Sequence, residues 1–189
     1  MKVLIFLYDD YAEFEISILD TVLRGNNVEV VTCSHKPVGT YVVSSGGLQI
    51  VPHYTITDIN PNDYAALVVP GGRPHVLLGN ENIQSFMKRM SEAGVYMAAI
   101  CAGPSLLADA GLLENMGYTT SLSEGEELYD RAPFQWENKR QEIVVTDQKV
   151  ITATGSAYVE FAEEVLRQLG LFEASDQNPL AYFKTPSMT

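Results

Sequence analysis

The chain has 189 residues, of which 46% are hydrophobic and 19% are charged, and its formal net charge is −12. This composition is typical of one folded domain with a substantial core, and it argues against disorder. The negative charge disfavours nucleic acids and anionic membrane surfaces as partners, because both present negative phosphate groups. No apolar run reaches the roughly 18–20 residues of a membrane-spanning helix, so no membrane contact is expected.

The first half of the chain alternates short apolar runs with segments of helical periodicity. The opening stretch MKVLIFLYDD indicates a buried strand, because its single lysine and its two closing aspartates do not fit a signal peptide. Two short runs around Ser-Ser-Gly-Gly, 41–43 and 48–51, predict a hairpin. The predicted strands are 3–8, 28–33, 65–69 and 95–100, and the predicted helices are 15–24 and 81–93.

The second half continues the same alternation. Its predicted elements are a helix that begins near residue 103, strands at 142–146 and 149–153, and a helix at 159–169. Buried strands that alternate with amphipathic helices predict an α/β doubly wound sandwich, with a mostly parallel sheet and helices on both faces. We expect residues 1–171 to form this single domain and residues 172–189 to be a C-terminal tail.

The two cysteines and three histidines show no metal-binding pattern. With no export signal, Cys33 and Cys101 are predicted to be free thiols in a reducing cytoplasm. Neither belongs to a Cys-x-x-Cys pair, and the histidines lie scattered at His35, His53 and His75. No metal site and no cofactor are therefore expected.

One cysteine stands where an apolar strand passes into a helix, in the stretch YMAAICAGPS at 96–105. Small residues on both sides of Cys101 permit the sharp strand-to-helix turn known as a nucleophile elbow. The helix N-terminus is expected to lower the pKa of the thiol, because its dipole stabilises the thiolate. The alternative is a buried core cysteine. Two further loops, YDDYAEFE and PGGRPH, are predicted at the same edge of the sheet, where doubly wound folds place their sites.

Four segments, in order, resemble the DJ-1/PfpI superfamily, whose architecture is that of class I glutamine amidotransferases. The segments are YAEFEISILDTVLR at 11–24, VVPGG at 68–72, AAICAGP at 98–104 and VITATGSAYVEFAEEVL at 150–166. The resemblance covers nearly the whole chain. It implies a flavodoxin-like fold, a reactive elbow cysteine and a homodimer.

The resemblance also implies which residues surround the cysteine. It places Glu15 beside Cys101, where a carboxyl group would have a raised pKa and donate a hydrogen bond to sulfur. Glu13 is the nearby alternative for this role, and an ordinary acid at a helix start is the alternative for Glu15. The backbone amides of Gly72 and Ala102 are the implied oxyanion hole.

The sequence departs from the family pattern in its histidines. Ala102 follows the cysteine where protease-like members have a histidine, and Ser121 stands where the DJ-1 branch has one. All three histidines precede Cys101, so the triad of the glutamine amidotransferases cannot form in its usual order. Gly71, His75 and Ser121 are accessory candidates, with a solvent-facing loop residue as the alternative for His75.

A polar segment at 122–140 contains the aromatic residues Tyr129, Phe134 and Trp136. These aromatics are predicted to line a substrate pocket or to cover a subunit contact. The alternative is a surface loop with a small hydrophobic cluster of its own.

Together these features predict a cysteine-dependent enzyme that acts on small electrophilic carbonyl compounds through a Cys101–Glu15 dyad. Glyoxalase-like addition to an α-oxoaldehyde is favoured over amidase or protease chemistry, because no group in the pattern would protonate a leaving amine. The alternative is a redox-sensing or stress-protective protein in which Cys101 is oxidised without substrate turnover. A third hypothesis is an inactive relative that acts through dimer contacts.

Overall fold

A computed structural model describes residues 1–172 and 178–184, which form a seven-stranded sheet, a small hairpin and four α-helices among those residues. The strands are β1 (Lys2–Phe6), β2 (Glu29–Ser34), β3 (Val42–Val43), β4 (Gln49–Ile50), β5 (Tyr54–Thr55), β6 (Ala66–Val69), β7 (Tyr96–Ile100), β8 (Val144–Asp147) and β9 (Val150–Ala153). The helices are α1 (Phe14–Gly25), α2 (Glu81–Glu92), α3 (Pro104–Asp109) and α4 (Tyr158–Gln168). None of the helices in these ranges has the length and apolar content needed to cross a membrane.

The large sheet is parallel except at one edge. Its order is β5-β2-β1-β6-β7-β9-β8, and only the pair β8 and β9 is antiparallel. The chain steps outward from β1 to β2 and in the opposite direction from β6 to β7. Because such crossovers are right-handed, α1 and α2 lie on opposite faces of the sheet. This is the α/β doubly wound, flavodoxin-like architecture that the sequence predicts.

Burial follows from this layering. Every residue of β6 and β9 is buried, as expected for central parallel strands that are covered on both faces. Helix α1 buries a single stripe, Ile16, Leu19, Val22 and Leu23. It packs against α4, while α2 packs against α3, so each face of the sheet carries one helical layer.

The predicted elements are present, with ends that differ by one or two residues. β1 ends at Phe6, although Leu7 and Tyr8 remain buried beyond it. The predicted hairpin is formed by β3 and β4. Cys33 is fully buried in β2, and burial raises the pKa of its thiol, which favours a core role over a redox role.

The described part of the predicted tail packs against α4. Leu180 is fully buried, and Lys184 forms an ion pair with Glu163. Asn178 also donates a hydrogen bond to Glu163 at 3.4 Å. The remainder of the predicted tail, 173–177 and 185–189, lies outside the described residues.

Candidate active site

Cys101 follows β7 in a backbone conformation that presents its side chain. Its φ is 61°, in the left-handed region that costs a non-glycine residue about 1–2 kcal/mol. The Cys101 N–H donates to the Ala153 carbonyl at 2.8 Å and holds the turn in place. A glycine is needed two residues later, because a Cβ at Gly103 would lie 2.5 Å from the Val69 carbonyl oxygen. The predicted elbow therefore combines strain at the cysteine with close packing just after it.

The carboxyl group of Glu15 lies against this elbow. Its Oε2 accepts a 2.6 Å hydrogen bond from the Gly71 amide, and the carboxyl group is also hydrogen-bonded to the Cys101 thiol. Glu15 is only 2% exposed although it stands in the first turn of α1. The structure thus brings Glu15 and Cys101 together, and their action as a catalytic dyad stays a prediction.

Glu13, the alternative partner, lies at a different contact. Its carboxylate accepts hydrogen bonds from the Ser45 hydroxyl at 3.0 Å and from the Gly46 amide at 3.2 Å. These bonds fix the turn between β3 and β4 to the start of α1. Glu13 as the partner of the cysteine is therefore wrong, because its carboxylate is held by the hairpin.

Burial acts on both groups of the Cys101–Glu15 pair. Burial raises the pKa of Glu15 to about 7. Hydrogen bonds from Cys101 and Gly71 favour the charged carboxylate and lower this pKa, but their effect is smaller. Burial and the charge of Glu15 raise the pKa of Cys101 to about 11, while hydrogen bonds from Ser121 and the Ala102 amide lower it. The expectation of a lowered thiol pKa is wrong while Glu15 is ionised, because burial and a like charge outweigh the six-residue helix α3.

The two predicted oxyanion amides belong to the elbow itself and to the loop after β6. The Ala102 N–H is hydrogen-bonded to the Cys101 side chain. Gly72 comes directly after Gly71, and a Cβ added to Gly71 would lie 2.5 Å from the Cys101 Cβ. No hydrogen bond within the described ranges engages the Gly72 amide, whereas the Gly71 amide is committed to Glu15. Gly71 thus holds the carboxyl group, and the oxyanion role of Gly72 and Ala102 stays a prediction.

Ser121, an accessory candidate, contacts both the sulfur and the backbone of the cysteine. Its hydroxyl is hydrogen-bonded to the Cys101 thiol, and its N–H donates to the Cys101 carbonyl at 3.1 Å. The same hydroxyl accepts from the Gly155 amide at 2.8 Å. Gly155 was missed in the sequence, although a Cβ there would lie 2.9 Å from the sulfur and 3.2 Å from a Glu15 oxygen. A glycine that acts only through its small size gives no chemical signal in a sequence.

Two buried tyrosines complete the surroundings. The Tyr8 hydroxyl lies 2.7 Å from the carbonyl oxygens of both Pro70 and Gly71 and donates to them. The Tyr129 hydroxyl lies 3.5 Å from the Gly72 carbonyl oxygen. Burial raises the pKa of both phenols, and the negative charge of the ionised thiol adds to this rise, since both lie near the sulfur. Tyr8 carries no sequence signal beyond its place in an apolar run.

The histidine candidate lies beside Tyr129. The rings of His75 and Tyr129 are 5.7 Å apart and meet edge-on at 76°. The Nδ1 atom of His75 is buried and lacks a partner in the described part of the chain, while the residue as a whole is partly exposed, so its accessory role stays a prediction. Phe134 and Trp136 pack on each other at 4.9 Å, and Phe134 also stacks on Tyr118 at 5.3 Å, so this pair joins the main core and the expectation of a separate small cluster is wrong. Of the three loop aromatics, only Tyr129 reaches the elbow.

Four neighbouring strands of the sheet contribute these groups at their carboxyl ends. Glu15 follows β1, Gly71 follows β6, Cys101 follows β7 and Gly155 follows β9. No group of three or more His, Cys, Asp and Glu side chains within residues 1–172 and 178–184 is placed to hold a metal ion. The arrangement offers a nucleophile, a carboxyl group that can exchange its proton near neutral pH, and backbone amides beside the sulfur.

Comparison with known proteins identifies the family of the chain. The sequence model of the DJ-1/PfpI family matches residues 1–168. The chain belongs to the DJ-1/PfpI family. The resemblance seen in four segments of the sequence is therefore confirmed over nearly the whole domain.

Several known proteins align with most of this chain. The crystal structure of the DJ-1 superfamily protein Atu0886 from Agrobacterium tumefaciens has a TM-score of 0.84 and 31% identity, and 97% of each chain is covered. Protein/nucleic acid deglycase 2 of Escherichia coli is 27% identical over 178 residues, which cover 89% of this chain and 98% of the relative. The uncharacterized protease YoaZ of Bacillus subtilis is 27% identical over 175 residues, which cover 86% and 72%.

Proposed function

We propose that this DJ-1/PfpI protein is a hydrolase-like enzyme that uses Cys101 as a nucleophile on small electrophilic carbonyl compounds. The observation that supports this proposal is the contact between a thiol on a strained elbow and the buried carboxyl group of Glu15. The names of two relatives, a deglycase and a protease, favour the same hydrolase-like class.

The first step is addition to the aldehyde group of an α-oxoaldehyde such as methylglyoxal. The sulfur of Cys101 forms a bond to the aldehyde carbon, the carbonyl π electrons move to the oxygen, and Glu15 holds the proton that the thiol releases. The amides of Gly72 and Ala102 stabilise the oxyanion until it takes a proton and becomes a neutral hemithioacetal.

The following steps use Glu15 as a proton shuttle. Glu15 first gives the thiol proton to the oxyanion and is again a carboxylate. It then removes the C–H proton of the former aldehyde carbon and returns it to the adjacent carbon, while the hydroxyl proton passes from the first oxygen to the second, which gives a 2-hydroxyacyl thioester. Water then hydrolyses the thioester and frees Cys101. The net change is the addition of one water molecule to the α-oxoaldehyde to give a 2-hydroxy acid, so the reaction needs no external oxidant or reductant.

Carbonyl addition is favoured over peptide hydrolysis by what surrounds the sulfur. Cleavage of a peptide bond requires a group that protonates the leaving amine. No histidine contacts Cys101 among the described residues, and the carboxyl group of Glu15 is the acid at hand. An aldehyde has no leaving amine and therefore demands less of the site.

Substrate turnover tests the proposal. We expect the wild type to consume methylglyoxal and form lactate, and Cys101→Ala to abolish this activity because the nucleophile is lost. Cys33→Ala is the matched control, since it removes the other thiol from the buried core, and it should retain activity. Equal consumption by wild type and Cys101→Ala would contradict the proposal.

Oxidation of Cys101 is a second candidate function. The Ser121 hydroxyl, the Ala102 amide and the Glu15 carboxyl group already hydrogen-bond the sulfur, and the same groups would hold the oxygens of a sulfinate. Intact-mass measurement under mild peroxide would then show a stable gain of two oxygen atoms that is absent in Cys101→Ala. Such a gain without methylglyoxal turnover would favour a redox sensor. The homodimer and the cytoplasmic location stay predictions from the sequence.

A further inference from the structure

One aromatic side chain of the 122–140 segment reaches the loop after β6, next to the elbow. Tyr129 ends a short 3₁₀ turn at Glu127–Tyr129 and is 9% exposed. Its hydroxyl points toward the carbonyl oxygen of Gly72. The preceding residue, Gly71, lies so close to the cysteine that a Cβ added to it would be 2.5 Å from the Cys101 Cβ. The phenol oxygen is therefore held in the loop that borders the sulfur.

The ring of Tyr129 is fixed by its neighbours. His75 meets it edge-on at 5.7 Å, an arrangement that aromatic rings favour. The residues next to each ring face solvent, since Val76 is 69% and Leu128 is 64% exposed. The two loops thus turn their aromatic members inward, and the hydroxyl has a defined position before any substrate arrives.

The hydroxyl of Tyr129 lacks a strong partner. At 3.5 Å its contact with the Gly72 carbonyl is at the limit of a hydrogen bond, whereas the Tyr8 hydroxyl and the Glu15 carboxylate make bonds of 2.7 and 2.6 Å. The pKa of Tyr129 is raised to about 12, mainly by burial and by the nearby Cys101 charge. The phenol therefore keeps its proton at neutral pH and remains a donor.

We propose that Tyr129 is a catalytic residue whose hydroxyl leaves the Gly72 carbonyl and donates a hydrogen bond to the carbonyl oxygen of the substrate. The inference rests on the proposed function. As the Cys101 sulfur bonds to the aldehyde carbon, the π electrons move to that oxygen, and the thiol proton goes to Glu15. Tyr129 stabilises the oxyanion by this hydrogen bond and keeps its own proton. It supplies a side-chain donor at a site where no histidine contacts the sulfur in the described ranges.

The substitution Tyr129→Phe tests this role, because it removes only the hydroxyl and keeps the ring that packs on His75. The matched control is Tyr118→Phe, another buried tyrosine whose hydroxyl donates to a backbone carbonyl, that of Gln135 at 3.2 Å. The probe is methylglyoxal labelled with carbon-13. Turnover gives kcat and KM, and NMR gives the dissociation constant of the Cys101 hemithioacetal. Alkylation by iodoacetamide is the third readout, because it builds no oxyanion.

We expect Tyr129→Phe to lower kcat by about 100-fold, the usual effect of removing one oxyanion donor, with KM changed by less than about threefold. Its alkylation rate should stay within about twofold of the wild type, and Tyr118→Phe should match the wild type in every readout. If the wild type accumulates the hemithioacetal without turnover, the expected effect is a weaker adduct in Tyr129→Phe.

Three results would overturn the inference. Unchanged kcat and adduct stability in Tyr129→Phe, with an active wild type, would reject the role of Tyr129 and leave the proposed function standing. Equal losses of alkylation and turnover in Tyr129→Phe would show that the hydroxyl only maintains the local structure. A wild type that forms neither adduct nor product would reject the proposed function itself, and the role of Tyr129 with it.

Discussion

The proton on Glu15 connects the chemistry of the elbow to the stability of the protein. Glu15 is 2% exposed, so its ionised form has lost nearly all contact with water, and the amide of Gly71 and the thiol of Cys101 compensate this loss only in part. The folded protein therefore prefers the protonated carboxyl group. A residue that exchanges its proton near neutral pH is suited to act as a proton shuttle. When Glu15 is ionised, its buried charge destabilises the folded state.

This cost predicts a pH-dependent stability. Because the pKa of Glu15 is about 7 in the fold and 4.5 in an unperturbed glutamate, the folded state binds more protons between these values. The stabilisation is complete below about pH 4.5 and is lost as pH rises through 7. We expect the unfolding free energy of the wild type, relative to Glu15→Gln, to fall by about 3 kcal/mol across this window, as measured by urea denaturation.

The matched control for this prediction is Glu13→Gln, two residues away. The pKa of Glu13 is lowered, chiefly by hydrogen bonds from backbone amides and Ser45, so above about pH 5.5 it is ionised in both the folded and the unfolded state. The difference between the wild type and Glu13→Gln should stay flat from about pH 5.5 to 8. A flat difference for Glu15→Gln as well would show that Glu15 titrates normally.

At the scale of elements, the strand ends decide what can approach the sulfur. β6 and β9 flank β7 in the sheet, and each continues into a glycine that contacts the cysteine, Gly71 and Gly155. The backbone φ of Gly155 is one that other residues also adopt. Glycine is therefore needed here because a side chain would collide with Cys101, and not because of the backbone conformation. At Gly155 the loop after β9 thus presents backbone, and no side chain, to the sulfur.

Gly155→Ala tests this close packing. The new Cβ would lie 2.9 Å from the sulfur and 3.1 Å from the Cys101 Cβ, so the elbow must move. We expect a loss of about 1–3 kcal/mol in stability from overpacking and at least a tenfold fall in the alkylation rate of Cys101. Gly25→Ala is the control, because nothing lies within 4 Å of its Cβ position and alanine is a better helix former. An alkylation rate for Gly155→Ala equal to that of the wild type would contradict the described packing.

The sequence predicted most elements and part of the site, for reasons that differ between residues. The elbow at Cys101 was predictable because the local pattern of small residues sets the turn. The choice of Glu15 over Glu13 came from the family resemblance and not from periodicity. Gly155 and Tyr8 were missed, since their roles depend on which strands become neighbours, and neither carries a group that marks a site. The raised thiol pKa also escaped prediction, because burial is a property of the fold.

At the scale of the whole molecule, the chain after α4 returns to the domain. Leu180 is fully buried, and Lys184 pairs with Glu163 on α4. These contacts lie on α4, whereas the elbow lies at the carboxyl ends of the central strands. The segment 178–184 should therefore support stability without acting on the chemistry.

Leu180→Ala separates these two properties. Removing a fully buried leucine side chain should lower the unfolding free energy by about 2–4 kcal/mol, measured by urea denaturation. The alkylation rate of Cys101 in the folded protein should be unchanged. Tyr182→Ala is the control, because this side chain is 92% exposed and its loss should cost less than about 0.5 kcal/mol. A slower alkylation in Leu180→Ala would show that the segment reaches the site.

The bare backbone at Gly155 also constrains how the protein can change over evolutionary time. Beside the sulfur, Gly71 and Gly155 present backbone, and backbone cannot be trimmed by point mutation to admit a larger molecule. The segment 122–140 is made of side chains that, apart from Tyr129, mutation can shorten or exchange. New substrates should therefore arise from variation in that segment while the nucleophile and its acid stay constant, and a library confined to it is the direct route to altered selectivity.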